Sequence, residues 1–172
     1  MQPFREALSE RVILFDGAIG TEIYGRGVFI NRSYDEVSLT NPDMVREIHR
    51  RYLSAGAEVA TTNTFGANRI RLAPFGLEDR SADILRASVR LAREVVKERS
   101  WVAGSMGPVG ARLTPVGKVS PGEAFAAFKD QALVLAEEGV DLFVLETFTQ
   151  LDELWQAVRA VLRPAICQSS RA

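Results

Sequence analysis

The feature that most restricts the fold of this chain is a unit that recurs along it: a short apolar run ending in small and polar residues, followed by an amphipathic helical segment. The runs are "RVILFDGA" (11–18), "AEVATTN" (57–63), "WVAGSM" (101–106) and "VDLFVLE" (140–146). The helical segments lie at 41–56, 81–98, 120–139 and 151–162. Asn41 can cap the first, with Pro42 in its first turn and Gly56 at its end. Ser120 and Glu123 form a capping box around Pro121 at the start of the third. In the second, Ile84, Leu91 and Val95 with Leu85, Val89, Ala92 and Val96 keep the three-and-four spacing, and Ser88 alone is out of character. In the fourth, Leu151, Leu154, Trp155, Val158 and Val161 share a face. A fifth strand is expected at 163–168. Strands this apolar are buried on both faces, so the order predicts an α/β fold with a parallel sheet and helical crossovers.

Two architectures suit that order, a doubly wound open sheet and a (β/α) barrel. A dinucleotide-binding sheet carries G-x-G-x-x-G after its first strand, whereas "DGAIGTE" has its glycines three apart. Polar residues instead gather at the carboxyl end of every strand: Asp16 and Gly17, Asn63 and Thr64, Ser105 before Gly107, and Glu146 before Thr147. In a barrel these ends meet at one mouth. The expectation is that Asp16, Asn63, Ser105 and Glu146 share one end of the sheet and one cleft. The stretch "TTNTFGAN" (61–68) is the densest case, since a turn needs one or two polar or small residues and this one has six in eight. A ligand would explain the excess; a tight turn that caps the next helix would explain part of it.

The composition of 47% hydrophobic and 25% charged residues over 172 positions is that of one globular domain, taken here as 1–172. With 21 basic and 22 acidic residues spread along it, the chain offers no surface for nucleic acid or an anionic membrane. One cysteine, Cys167, excludes an internal disulfide framework. The opening "MQPFREALSERV" is charged where a signal peptide is apolar, and no run approaches the roughly 20 apolar residues of a membrane span, so the expected compartment is cytoplasmic.

Four segments in order, "ILFDGAIGTEIYGRGV", "NPDMVREIHRRYLSAGAEVATTNTFGAN", "VAGSMGPVG" and "GVDLFVLETF", resemble the homocysteine S-methyltransferase family, over about residues 11–163. The resemblance implies a (β/α)8 TIM-barrel type domain in which zinc holds the homocysteine sulfur as a thiolate for attack on a methyl donor. An alkyl thiol with a pKa near 8.5 is mostly protonated at neutral pH, and a metal deprotonates it. By the same resemblance Asp16 and Glu146 suit the substrate ammonium group, and Gly17, Asn63, Thr64, Phe65 and Ser105 line the amino-acid end. Gly104 and Gly107 would allow close backbone approach to a ligand. Read without the resemblance, Asp16-Gly17 is also a simple turn, whereas an acid closing "LFVLE" is costly to bury unless a cation meets it. His49, the only histidine, falls beside Val45, Ile48 and Tyr52 and reads as structural.

The chain departs from the family in two respects. The family's zinc ligands are cysteines on later strands, and one cysteine cannot supply them, so no metal role is carried onto Cys167. A (β/α)8 barrel takes about 250 residues, so four units and a stub read as a barrel truncated to its first half. Catalytic residues and zinc ligands are then expected in the other half, with methylcobalamin or methyltetrahydrofolate as the methyl source; "NRIRLAPFGLEDR" resembles the folate-linked branch. Two readings follow: half of a homocysteine methyltransferase domain, or a binding or structural remnant without catalysis. Open sheet edges predict self-association in either case. An aldolase-type barrel finds no lysine at a strand end and no phosphate loop to support it.

Overall fold

A computed structural model describes residues 2–97 and 99–162. Its sheet is parallel, with strands β1 (Val59–Thr61), β2 (Trp101–Met106) and β3 (Leu142–Leu145) side by side in chain order. The helices are α1 (Phe4–Glu10), α2 (Ile19–Gly25), α3 (Val37–Thr40), α4 (Pro42–Ser54), α5 (Arg69–Leu72), α6 (Ser81–Val96), α7 (Pro121–Glu137) and α8 (Leu151–Val161).

The capping signals act as read. The Asn41 side chain accepts a hydrogen bond from the Met44 amide at 3.3 Å, with Pro42 opening α4. Ser120 and Glu123 close a reciprocal capping box on α7.

The expected strand over 11–18 is reduced to one parallel bridge, Phe15 to Val59, on the outer side of β1. Its amide and carbonyl groups pair on one side only, as in Glu58 N–H to the Leu14 carbonyl at 2.8 Å and Asp16 N–H to the Val59 carbonyl at 3.1 Å. With no strand paired beyond it among the described residues, Val12 is 91% exposed. The segment therefore behaves as an unsupported edge. The fifth strand expected at 163–168, and Cys167 with it, lie outside the described residues.

Strand side chains alternate between two faces. Ala60, Val102 and Met106 face the helices and join Leu85, Val89, Phe128 and Leu135 in the main core. Val59, Trp101 and Ala103 point the other way, where Ala7 of α1 joins them and Phe4 packs edge-on to Trp101 at 5.5 Å. The alternation decides the site, because it puts Thr61, Ser105 and Glu146 on this second face, one strand apart, at the carboxyl ends.

Helix α8 corrects the sequence reading. Its buried residues are Glu153, Gln156, Ala157 and Ala160, while Leu151 and Trp155 are exposed. The helix lies against α7, whose contact side is itself rich in alanine, and small residues let two backbones approach closely. Of the expected apolar stripe, Leu154, Val158 and Val161 are half-buried, with Val161 packed on the core, and Leu151 and Trp155 are left outside. Among the described residues no helix is long and apolar enough to cross a membrane.

Candidate functional site

A cavity of about 590 Å³ opens at the carboxyl ends of the strands. Asp16 and Gly17 from the edge segment, Thr61 at the end of β1, Thr62, Asn63 and Phe65 beyond it, Ser105 on β2 and Glu146 after β3 all line it. The connection between the edge segment and α4 folds across the opening and adds Ile30, Arg32, Ser33, Tyr34 and Asp35. Arg71 of α5 and Phe75 complete the rim.

The polar stretch 61–68 divides into lining and support. Thr64 is fully buried and does not line the cavity. Its hydroxyl meets that of Thr62 at 2.6 Å and donates to the Ser105 carbonyl at 2.7 Å, while the Ser105 amide donates to Thr62 Oγ1 at 3.1 Å. These bonds lock the end of β1 to β2. Asn68 caps α5 by accepting from the Arg71 amide at 3.0 Å. Asn63 uses its amide Nδ2 to donate to the Tyr34 carbonyl at 2.7 Å and to Ser38 Oγ at 3.1 Å, which ties the covering connection to the strand end. The anomalous Ser88 belongs to the same network, since its hydroxyl donates to the Asn63 carbonyl at 3.0 Å and shares a hydrogen bond with the Ser38 hydroxyl at 2.7 Å. A serine on an apolar helical face was the one sequence sign of this buried link.

Glycine does packing work here rather than direct ligand approach. A Cβ on Gly107 would sit 2.1 Å from Phe65 Cε2, and one on Gly104 would sit 3.2 Å from Leu135 Cδ1 on the helix side. The Gly107 amide also donates to the Phe65 carbonyl at 2.9 Å. Phe65 is thus pressed between Gly107 and Arg71, whose guanidinium lies 4.8 Å from the ring centroid and donates to the Pro108 carbonyl at 3.3 Å.

Two carboxylates set the electrostatics. Glu146 Oε1 accepts the Ser105 hydroxyl proton at 2.6 Å. Asp16 Oδ2 accepts from the Thr61 amide at 2.8 Å, whereas its Oδ1 is buried with no partner among the described residues. Burial pushes the Asp16 carboxyl up to about 6 against the Thr61 hydrogen bond, and the charge of Glu146 adds to the rise. Among the described residues neither acid forms an ion pair with lysine or arginine; the nearest basic group to Asp16 is His49 Nδ1 at 4.0 Å. Burial holds His49 down at about 4, so the imidazole is neutral at pH 7. Two acids that line one cavity without a paired lysine or arginine have the chemistry to accept a cationic group. Thr147, directly after Glu146, holds φ at +63°, a costly conformation for a β-branched residue and one that concentrates at binding sites.

Tyr34, Asp35 and Arg71 were not singled out from sequence. The Tyr34 hydroxyl is buried without a partner among the described residues, and Asp35 Oδ1 accepts from the Gly66 amide at 2.9 Å. Burial raises the Asp35 carboxyl, with the Gly66 amide and Arg71 opposing. The aromatic in "NRSYDE" was the available hint.

Zinc of the kind implied by the sequence resemblance takes four ligands from thiolate, imidazole and carboxylate. Among the described residues no group of three or more His, Cys, Asp or Glu is placed to hold a metal ion. These residues do not fit a zinc centre; their chemistry is that of holding a charged, polar small molecule.

Residues 13–170 match a family model described as homocysteine S-methyltransferase. The chain is 33% identical over 165 residues to a methionine synthase of Mycobacterium tuberculosis and 33% identical over 178 residues to that of Mycobacterium leprae. Those matches take in 89% and 96% of this chain but only 14% and 15% of the relatives. Among solved structures it resembles the metallated form of the Escherichia coli homocysteine methyltransferase MmuM, with a TM-score of 0.79 and 29% identity over 93% of this chain and 62% of that one. The apo form of the same protein gives a TM-score of 0.70 at 26% identity, covering 93% and 59%.

Proposed function

The chain belongs to the homocysteine S-methyltransferase family, and from that premise we propose that its cavity binds the amino-acid end of homocysteine, as the substrate-holding part of a domain that methylates the homocysteine sulfur to give methionine. The observation that carries this is the pair Asp16 and Glu146, two acids that follow the edge segment and β3, with β1 and β2 between them, and that line one cavity with no lysine or arginine paired to either among the described residues. The substrate ammonium group supplies the missing charge. A charged hydrogen bond of this kind contributes about 1.5–3 kcal/mol. The Tyr34 hydroxyl, buried without a hydrogen-bond partner among the described residues, supports a polar contact to the rest of the amino-acid end. The rigid hold orients the sulfur, which is how positioning lowers a transfer barrier.

Three further proposals rest on the same basis. Residues 1–172 act as one homocysteine-binding domain. The sequential, all-parallel strand order supports the reading that they form the first βα units of a TIM-type barrel. The exposed edge at Val12 and Leu14 supports self-association. Zinc and the methyl source, methylcobalamin or methyltetrahydrofolate, belong to the family's chemistry and not to residues described here.

The test is calorimetric titration of the purified chain with L-homocysteine and with 4-mercaptobutanoate, which lacks only the amino group. The proposal expects the desamino compound to bind at least tenfold more weakly, and Glu146→Gln to remove most of that difference. Equal affinity for the two ligands would overturn it.

A further inference from the structure

His49 lies in the middle of α4, fully buried, and neither ring nitrogen has a hydrogen-bond partner among the described residues. An apolar residue at this position would pack without that cost, and buried polar atoms are nearly always satisfied, so two orphaned nitrogens on one ring call for a reason. The ring faces Asp16, itself left with an orphaned Oδ1, across 4.0 Å from His49 Nδ1 to Asp16 Oδ2. That is too long for a hydrogen bond, and about 1 Å of closure brings it within range.

We propose that His49 is a positioning residue for the amino-group subsite: its neutral imidazole donates Nδ1–H to the Asp16 carboxylate when a ligand ammonium arrives, and so holds Asp16 ionised and in place. This rests on the assignment of Asp16 to the substrate ammonium. In the free chain the two groups are poised against each other. Asp16 takes up a proton readily because it is buried, and the imidazole is kept neutral by the same burial. An entering ammonium reverses the balance at Asp16, and a second donor from behind then stabilises the carboxylate. Donation from Nδ1 also fixes the tautomer, leaving Nε2 as the acceptor.

Few other charges bear on the pair. Glu146 faces Asp16 from the end of β3. Tyr52 lies one turn from His49 on α4, its hydroxyl donating to the Ala18 carbonyl at 3.2 Å. On α2, Glu22 pairs with Arg26 at 2.5 Å. On α6, Glu94 is engaged by Arg46 at 2.6 Å, while α3 and β1 carry no ionisable side chain.

His49 is the only histidine in the chain, so its ring nitrogens can be followed alone by NMR after labelling with ¹⁵N-histidine. In the free wild-type chain the imidazole is expected to stay neutral through pH 5–8 while its nitrogen shifts show a step near pH 6 as Asp16 titrates. Asp16→Asn removes the step. L-homocysteine at pH 6 converts the spectrum to a single Nδ1–H tautomer with a downfield donor nitrogen, and 4-mercaptobutanoate does not. Nitrogen shifts that are flat with pH in the free chain, or a step that survives Asp16→Asn, would overturn the proposal whether or not homocysteine binds. A step without a ligand response would instead count against the substrate reading of Asp16. His49→Leu should weaken L-homocysteine about tenfold at pH 6 and less at pH 8, with His49→Gln, which restores a donor, recovering most of the loss. A loss equal at both pH values, and unrescued by Gln, would mark His49 as packing alone.

Discussion

Replacing Asp16 with asparagine should make this chain more stable at neutral pH. The change is isosteric, leaves an acceptor for the Thr61 amide and removes a charge whose side chain is 1% exposed. The folded-state carboxyl lies at about 6 against 3.8 for the ordinary group. The folded chain therefore binds this proton more tightly than the unfolded chain, so stability falls as pH rises from 3.8 to 6 and the full cost, about 3 kcal/mol at ~1.36 kcal/mol per pH unit, is present above 6. His49 acts in the opposite sense. Its folded value of about 4 lies below the ordinary 6.5, so its stability is complete above 6.5 and is lost as pH falls toward 4, by an amount of similar size. In the wild type the two slopes largely cancel between pH 4 and 6. Asp16→Asn exposes the His49 slope alone: the variant should match wild type near pH 3.5 and exceed it by up to ~3 kcal/mol at pH 7.5. Urea unfolding at pH 3.5, 5, 6 and 7.5, followed by the fluorescence of buried Trp101, measures the gap directly. A variant less stable than wild type at pH 7.5, or a gap that does not change with pH, would refute the reasoning. A gain at neutral pH is what a residue kept for binding at the expense of the fold would show.

Two other substitutions test the packing that supports the strand ends. Gly107→Ala would force the Phe65 ring away from a Cβ placed 2.1 Å from it; because an aromatic ring tip can turn, the expected stability loss is ~1–3 kcal/mol, with a larger proportional loss of ligand affinity as Phe65 and Arg71 shift, read by thermal melts and calorimetry. Glu153 on α8 is 1% exposed and its Oε1 accepts the Val109 amide at 2.7 Å, so Glu153→Ala should cost ~1–3 kcal/mol by leaving that amide unpaired, while Glu153→Gln retains an acceptor and most of the stability in the same denaturation assay.

The sequence alone determined the elements that depend on local chemistry. The caps at Asn41 and Ser120 are set within four residues by side chain to backbone hydrogen bonds, and β2, buried at every position, is small or apolar except at Ser105. The placing of Asp16, Gly17, Asn63, Phe65, Ser105 and Glu146 around one cavity was legible too, since parallel strands deliver their carboxyl ends to the same side. Tertiary structure decided what each polar group does once there. Thr64 and Asn63 look alike in the sequence, yet one is turned inward to lock β1 to β2 and the other lines the cavity, a difference set by partners 41 and 29 residues away. The edge segment at 11–15 has strand composition but, among the described residues, a single bridge to β1, and pairing is a property of the sheet rather than of the residues. On α8 the periodic stripe through Leu151 and Trp155 signals a buried face, and close approach to α7 selects the small-residue face instead. His49 shows the limit most directly: spacing could say that it is buried, and only the fold could bring it to 4.0 Å from Asp16, because the two are joined through a helix and a strand end whose packing no local pattern records.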